Sequence, residues 1–339
     1  MKSNIEIINT SKYVGLADFV FSAVVSENDY IEKFKSNSSI IQKNKFESSV
    51  FIWFVKNNLK IKNNDIIFCH VELLNSLLFS ILNSSNLENL TLISAQSDKS
   101  INRRLFSKKP ECITRWFSTN VDFKNENLHP IPLGINNDFI SIYPVEYDFQ
   151  KFIFKPNSEK ANSIYSNFNI NTRFFHRHFA MKYSRKNKKV IFDIDKQSKE
   201  KFINNLNEHK FILSPWGNGI DTHRVWEALY SNSIPITKDH TVFSSFKNLP
   251  IIFVKNYKQI NTDININDSL SLELADFKYW KSMILNSRNK NQTIDNNEYI
   301  KDIKEFNFSF IKKRNRLIKF LRIKKQIKYI FYRIIKKII

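Results

Sequence analysis

Residues 211–237, FILSPWGNGIDTHRVWEALYSNSIPIT, hold two of the chain's four glycines and gather Asp221, His223, Arg224 and Glu227 within seven positions. Residues 211–213 are a short apolar run of the kind that fills a buried parallel strand. Pro215-Trp216-Gly217-Asn218-Gly219 cannot continue it, because proline lacks a donor and the glycines permit positive φ. Asp221 is placed to cap a following helix in which Val225, Ala228 and Leu229 share one face, and residues 233–237 resume an extended run. Strand, glycine loop and helix N-terminus in that order make an anion site, since unpaired N–H groups and the helix dipole point outward there. Arg224, in the first turn, can fork onto a phosphate, and Glu227, three residues on, suits ribose hydroxyls. The residues alone leave a plainer alternative open: a structural turn and a helix carrying an Arg224–Glu227 surface pair.

The run F-x-L-S-P-x-G-N-G-x-D-x-H-R-x-W-E-A-L-Y…S-I-P-I resembles the C-terminal motif of exostosin-like glycosyltransferases (family 47), over about 27 residues. The resemblance implies a GT-B fold and transfer of a sugar from a nucleotide diphosphate with inversion. It implies that Arg224 meets the diphosphate and Glu227 the ribose, with Ser214, Gly217, Asn218, Gly219, Asp221 and His223 around the same donor. Asn232 stands where such sequences often carry glycine; Asn tolerates left-handed φ, so the helix stop survives. Two other stretches are similar more loosely. Residues 131–136, IPLGIN, resemble a segment near the domain junction of these enzymes. Residues 164–173, IYSNFNINTR, resemble the strand and loop that open the donor domain, which brings Asn167, Asn171 and Arg173 to the nucleotide from the opposite side.

Outward from this motif, the chain reads as alternating strands and helices. Strands are predicted at 65–70, 90–94, 112–117 and 128–133 in the first half, and at 163–167, 190–192, 211–213, 233–237 and 251–254 in the second. Helices are predicted over 73–82 and 270–285. Such alternation with short links argues for parallel sheets. A chain of 339 residues exceeds the size at which one core keeps growing. The expected fold is therefore α/β and GT-B-like: two Rossmann-like domains facing a cleft, followed by a C-terminal basic amphipathic helix. Their expected spans are 1–148 on the acceptor side, 149–310 for the nucleotide sugar, and 311–339 for the tail. The stretch 147–158, without a clear period, is the expected linker.

The formal net charge is +21, and residues 311–339 supply 12 Lys or Arg and no acid, so the remainder carries about +9. Phe320, Ile323, Ile327, Ile330, Ile334 and Ile338 recur in this tail at three- and four-residue steps, with most cations off the stripe. A basic amphipathic helix of this kind suits the headgroup region of an anionic membrane. Docking on the body and binding of nucleic-acid phosphates are its rivals; the apolar stripe disfavours nucleic acid. No apolar run approaches the ~18 residues a spanning helix needs, and MKSNIEIINTSK lacks the layout of a signal peptide. Cys69 and Cys112 fit neither a disulfide framework nor metal spacing. The expected location is cytoplasmic, peripheral on the inner face of the cell membrane. The expected partners are a nucleotide-diphosphate sugar and a glycan acceptor, preferably lipid-linked, in surface-polysaccharide assembly.

Inverting transfer needs a base for the acceptor hydroxyl and stabilisation of the departing diphosphate. Cations at the helix start can provide the second, so no cofactor and no metal are expected. Candidate bases lie at carboxyl ends of first-half strands: Asp98 first, then Glu72 and His70. Asp193-Ile194-Asp195 spells the D-x-D with which GT-A transferases hold a divalent metal, the metal-dependent alternative; the pattern is frequent by chance. His176 and His178 have no companion ligands for zinc. Phosphate-binding G-x-x-x-x-G-K-[ST], dinucleotide-binding G-x-G-x-x-G and hydrolase G-x-S-x-G motifs are absent. A basic nucleic-acid-binding protein is the non-enzymatic alternative.

Overall fold

The computed structural model describes residues 5–35, 43–46, 49–52, 59–137, 143–193, 197–260, 271–288 and 298–301. Residues 1–300 form one compact unit and 301–339 another; the basic tail expected at 311–339 lies outside the described residues.

The first half builds a seven-stranded sheet from β1 (Phe19–Ser26), β2 (Lys43–Phe46), β3 (Ser49–Ile52), β5 (Ile66–His70), β6 (Leu90–Ala95), β7 (Ile113–Ser118) and β8 (Leu128–Pro130), with β4 (Leu59–Lys62) just before β5 and outside this sheet. All five residues of β5 and all six of β6 are buried, which is why both read as unbroken apolar runs rather than alternating ones. β1, β5, β6, β7 and β8 are parallel and follow chain order. β3 and β2 extend the edge beside β1 as an antiparallel pair that strand–helix alternation did not predict. Helical turns over 71–82 connect β5 to β6, close to the predicted 73–82.

The second half is a five-stranded parallel sheet of β9 (Ala161–Ser166), β10 (Val190–Phe192), β11 (His209–Leu213), β12 (Ile234–Lys238) and β13 (Ile252–Val254), in the order β10-β9-β11-β12-β13. The fold is thus α/β with two parallel-strand sheets, GT-B-like as expected. The second sheet's order reverses direction between β9 and β11, and open α/β sheets take ligands outside the carboxyl ends of strands at such a switch point.

The stretch 147–158 carries a helix over Glu146–Lys151, where the Asp148 carboxylate accepts the Val145 N–H at 2.9 Å and Phe149 packs on Phe154 and Tyr230. Among the described residues the last regular helix is Phe277–Leu285, shorter than the predicted 270–285 and capped by Asp276, with a 3-10 turn at Glu273–Ala275 before it.

One apolar cluster runs through both halves, including Ile66, Phe68 and Ile93 of the first and Ile212, Trp226 and Phe243 of the second. The N-terminal segment laces it together. Ile8 receives a hydrogen bond from Ile135 N–H at 2.9 Å, and its own N–H donates to Tyr230 Oη at 2.9 Å; that hydroxyl donates onward to Ala275 O at 2.7 Å. Within the second half, buried Lys160 donates to Leu206 O (2.7 Å), Ser231 O (2.5 Å) and Ser233 Oγ (2.7 Å). Its charge sits at the C-terminal ends of two helices, Lys199–Glu208 and His223–Tyr230, where the helix dipole favours a cation. Asn232 closes the second of these at φ 60°, the left-handed stop expected of it.

Gly134 is the position that tolerates no side chain. Its φ is +71°, and a Cβ there would lie 2.0 Å from Ile8 O, a backbone atom that cannot yield without breaking the Ile8–Ile135 bond. Gly134→Ala is expected to cost on the order of 4 kcal/mol or to prevent folding; an unchanged midpoint in urea denaturation would contradict this.

Candidate functional site

The glycine loop leaves β11 at the switch point and leads into the helix His223–Tyr230. Its conformation is set by hydrogen bonds that the sequence did not disclose. Asn120, in left-handed conformation beyond β7, accepts the N–H groups of Ile220 (3.0 Å) and Asp221 (3.1 Å) on Oδ1 and donates from Nδ2 to Ser97 O. The Gly217 N–H is taken by Gly219 O at 2.9 Å. Three loop donors expected to cradle an anion are therefore spent within the protein. Nor do the two glycines adopt positive φ; among the described glycines only Gly134 does. They are needed for close approach: a Cβ on Gly219 would meet Asn120 Nδ2 at 2.9 Å, and one on Gly217 would meet Arg177 Nη2 at 3.1 Å.

Asp221 does not cap the helix. Thr222 occupies the N-cap, and the buried Asp221 carboxylate instead accepts Leu133 N–H (2.8 Å) and the Trp226 indole N–H (2.9 and 3.1 Å). The reason is the neighbouring segment: residues 131–134 run alongside and present an N–H that nothing else satisfies as well. Burial pushes Asp221 up to about 7, against the lowering effect of its three donors, Leu133, Trp226 and the Thr222 N–H. Ser214 is likewise internal, buried with its hydroxyl on Ile212 O. Asn218 is the exposed residue of the loop.

Arg224 and Glu227 do form a pair, Nε to Oε2 at 3.3 Å, yet it is not a surface pair: their side chains are 21% and 5% exposed. The guanidinium lies over the Phe202 ring at 4.0 Å, and Nη1 is buried without a hydrogen-bond partner. Thr222 Oγ1 beside it and Ser166 Oγ at the end of β9 are also buried and unpartnered. An unsatisfied buried donor costs more than a made bond returns, and a bound ligand is one way such a donor is satisfied. His223 Nδ1 lies 2.8 Å from Gly134 O. A carbonyl only accepts, so the proton is on Nδ1 and Nε2 keeps its lone pair. Burial depresses the imidazole pKa, which keeps it neutral.

Around this helix start the structure gathers cations. Arg173, at φ 52° and at the head of the helix Phe174–Ser184, and Lys238, ending β12, stand 5.1 and 5.2 Å from the Trp216 ring. Arg177, which sequence reasoning missed, donates to Trp216 O (2.9 Å), Asn169 O (2.9 Å) and Pro215 O (3.4 Å), fastening the loop. Burial and the charge of Arg224 lower Arg177 to about 10, so it remains a cation at neutral pH. His176 stacks on Trp216 at 4.6 Å and bonds Tyr257 Oη at 2.8 Å. Burial and then Arg173, Lys238 and Arg177 push it down to about 4. Asn167 donates to Asp193 O at 3.1 Å, and Asn171 is exposed, its N–H on Asn169 Oδ1.

From the first half, exposed Asp98 faces this cluster closely enough for its charge to act on both His223 and Arg177. Glu72 accepts from Ser97 Oγ at 3.2 Å, one residue before Asp98. His70 is buried, its Nδ1 accepting the Glu72 N–H at 3.3 Å, so it holds the turn that carries Glu72. Asp193 accepts from Tyr165 Oη and Asn205 Nδ2, both at 3.1 Å, while Asp195 lies outside the described residues. Among the described residues no three His, Cys, Asp or Glu stand together as a metal-binding group.

No protein-family model matches the chain, and no curated protein does. Seven chains of solved structures are similar to it, two of them as follows. One, an α1,3-fucosyltransferase with GDP, is 12% identical with a TM-score of 0.30, over 68% of this chain and 78% of that one. The other, an α1,3-fucosyltransferase with GDP-fucose, is 15% identical with a TM-score of 0.27, over 75% and 77%.

The Asp221 environment has a thermodynamic consequence. With the folded pKa raised, the native state keeps its proton while the unfolded chain loses it, so stability falls as pH rises. Compared with Asp221→Asn, the native protein is expected to lose up to about 1.4 kcal/mol per pH unit between roughly pH 4 and pH 7, and nothing further above that range. Urea denaturation of both proteins across this range checks it; a constant difference would show that Asp221 is ionised throughout.

Proposed function

We propose that the chain is a glycosyltransferase that takes a sugar from a nucleotide diphosphate and passes it to a glycan acceptor. What carries the reading is the placement of Arg224 and Glu227: at the switch point of a parallel sheet, on the first turns of a buried helix, with Arg224 Nη1 unpartnered. Arg173 and Lys238 beside Trp216, with Arg177 and Arg224 beside each other, bring four cations to this end of the sheet, and such a cluster suits the oxygens of a diphosphate. Glu227, already oriented by Arg224, has a second oxygen for ribose hydroxyls. The exostosin-like motif supports the same assignment.

In this reading Arg224 and neighbouring cations neutralise the departing diphosphate in place of a divalent metal, and inversion follows from direct attack by the acceptor hydroxyl. Asp98 is the preferred base because its charge reaches the donor cluster from the first half; Glu72 lies beside it through Ser97. The acceptor is a lipid-linked glycan in surface-polysaccharide assembly, approached from the inner face of the membrane with the basic tail 311–339 on anionic lipid.

A thermal-shift screen with UDP, GDP and their sugar conjugates tests the donor site. One nucleotide at a hundred times its Kd is expected to add about 2.7 kcal/mol of stability, a rise of several degrees. Arg224→Lys and Glu227→Gln should each abolish most of that rise, while Asp98→Asn should retain it and lose turnover. No shift with any nucleotide would overturn the reading. DNA or RNA binding that falls steeply with salt and survives both substitutions would favour the nucleic-acid alternative.

A further inference from the structure

The helix Phe174–Ser184 has two faces with different occupations. Its inner face holds the glycine loop through His176 and Arg177, while its outer face carries aromatic rings into solvent. Phe174, Phe175 and Phe179 are 38%, 77% and 49% exposed. Their spacing sets Phe175, Phe179 and Tyr183 on one ridge, with Phe174 and His178 on the next. The rings touch in series: Phe174 against Phe175 at 5.5 Å, Phe174 stacked on His178 at 5.6 Å, and Phe179 stacked on Tyr183 at 6.5 Å. Basic residues follow directly, with Lys182, Arg185, Lys186 and Lys188 all exposed, and no acid occurs between Phe174 and Phe192.

We propose that this outer face docks on an anionic lipid bilayer, with Phe175 and Phe179 entering the headgroup layer and Lys182, Arg185 and Lys186 lying at lipid phosphates. Large aromatic side chains left in water beside a one-signed basic stretch are the composition of an interfacial helix. The charge pattern argues against the other occupants. A second copy seated about a two-fold axis would bring the same cations against one another. Single-stranded nucleic acid needs open ring faces on which successive bases stack, whereas Phe174 is already stacked on His178 and Phe179 on Tyr183. The docking surface is independent of the basic tail. If the proposed transfer is correct, docking holds the glycine loop about one helix diameter, roughly 10 Å, from the lipid.

The test uses the full chain with vesicles of phosphatidylglycerol and phosphatidylcholine, or of phosphatidylcholine alone. Phe175→Trp places a reporter on the face without touching the donor site. Relative to the native protein, its added emission should shift to the blue with the anionic vesicles, be quenched by brominated lipid, and stay unchanged with the neutral ones. Phe175→Ser/Phe179→Ser should weaken co-flotation with anionic vesicles by roughly tenfold or more. Equal flotation of the native and double-variant proteins, with the introduced indole still in water, would assign membrane binding to the tail and overturn the proposal. So would an absence of vesicle binding, a dimer that the double substitution dissolves, or RNA binding that it removes. None of these outcomes bears on nucleotide binding, which the thermal-shift screen reads separately.

Discussion

One buried carboxylate, Asp221, fixes where the two halves of this molecule meet. It takes a backbone N–H from Leu133 of the first half and the indole N–H of Trp226 from the second. Asn120 completes the lock by taking the N–H groups of Ile220 and Asp221. Desolvating a carboxylate is costly, and the rise of Asp221 toward neutral pH measures that cost. The return is geometric. The loop between β11 and the helix His223–Tyr230 is held from both sides, the Ile220 and Asp221 N–H groups by Asn120 of the first half and the Trp216 and Pro215 carbonyls by Arg177 of the second.

Electrostatics at the helix start depend on that immobility. Like charges are gathered there: the charge of Arg224 acts on Arg177, and Arg173 and Lys238 flank Trp216. In a flexible loop they would separate into solvent. Here Arg177 is bound to two carbonyls of the loop and to Asn169 O, and Arg224 is held between Glu227 and Phe202. Their repulsion is therefore built into the fold, and an anion that enters relieves it. The neutral state of His176, stacked in the same cluster, has the same origin: burial first, then the cations around it.

The sequence disclosed the parts whose cause is local. Apolar runs identify β5, β6 and β11 because strands buried on both faces admit little else. Asn232 was legible as a helix stop, since left-handed φ is a property of the residue itself. The motif located Arg224 and Glu227 through their spacing. Other features were misread because their cause is distant in the chain. Asp221 looks like an N-cap until Leu133 lies beside it, 88 residues away. Gly217 and Gly219 look like positive-φ residues until Arg177 and Asn120 fill the space above them. Arg177 sits in FFHRHF, where nothing marks it from a solvated helix cation, and the stretch 147–158 lacks a period because its helix is only six residues long.

These distant contacts also order His223. Its Nδ1 proton is committed to Gly134 O, which fixes the ring and turns Nε2 away from that carbonyl. Gly134 in turn has no latitude, because its backbone passes within reach of Ile8, and Ile8 is tied to Tyr230 on the far end of the helix that carries His223. The constraint therefore closes on itself: helix, N-terminal segment and Gly134 turn each fix the next. For the proposed transfer, a helix start held this way leaves little to reorganise, and fixed dipoles that need no reorganisation are the ones that stabilise a departing anion most. The same closure explains why the motif's polar residues divide into two sets. Asp221, Ser214 and the glycines hold the frame, and Arg224, Glu227 and the free nitrogen of His223 are what the frame presents.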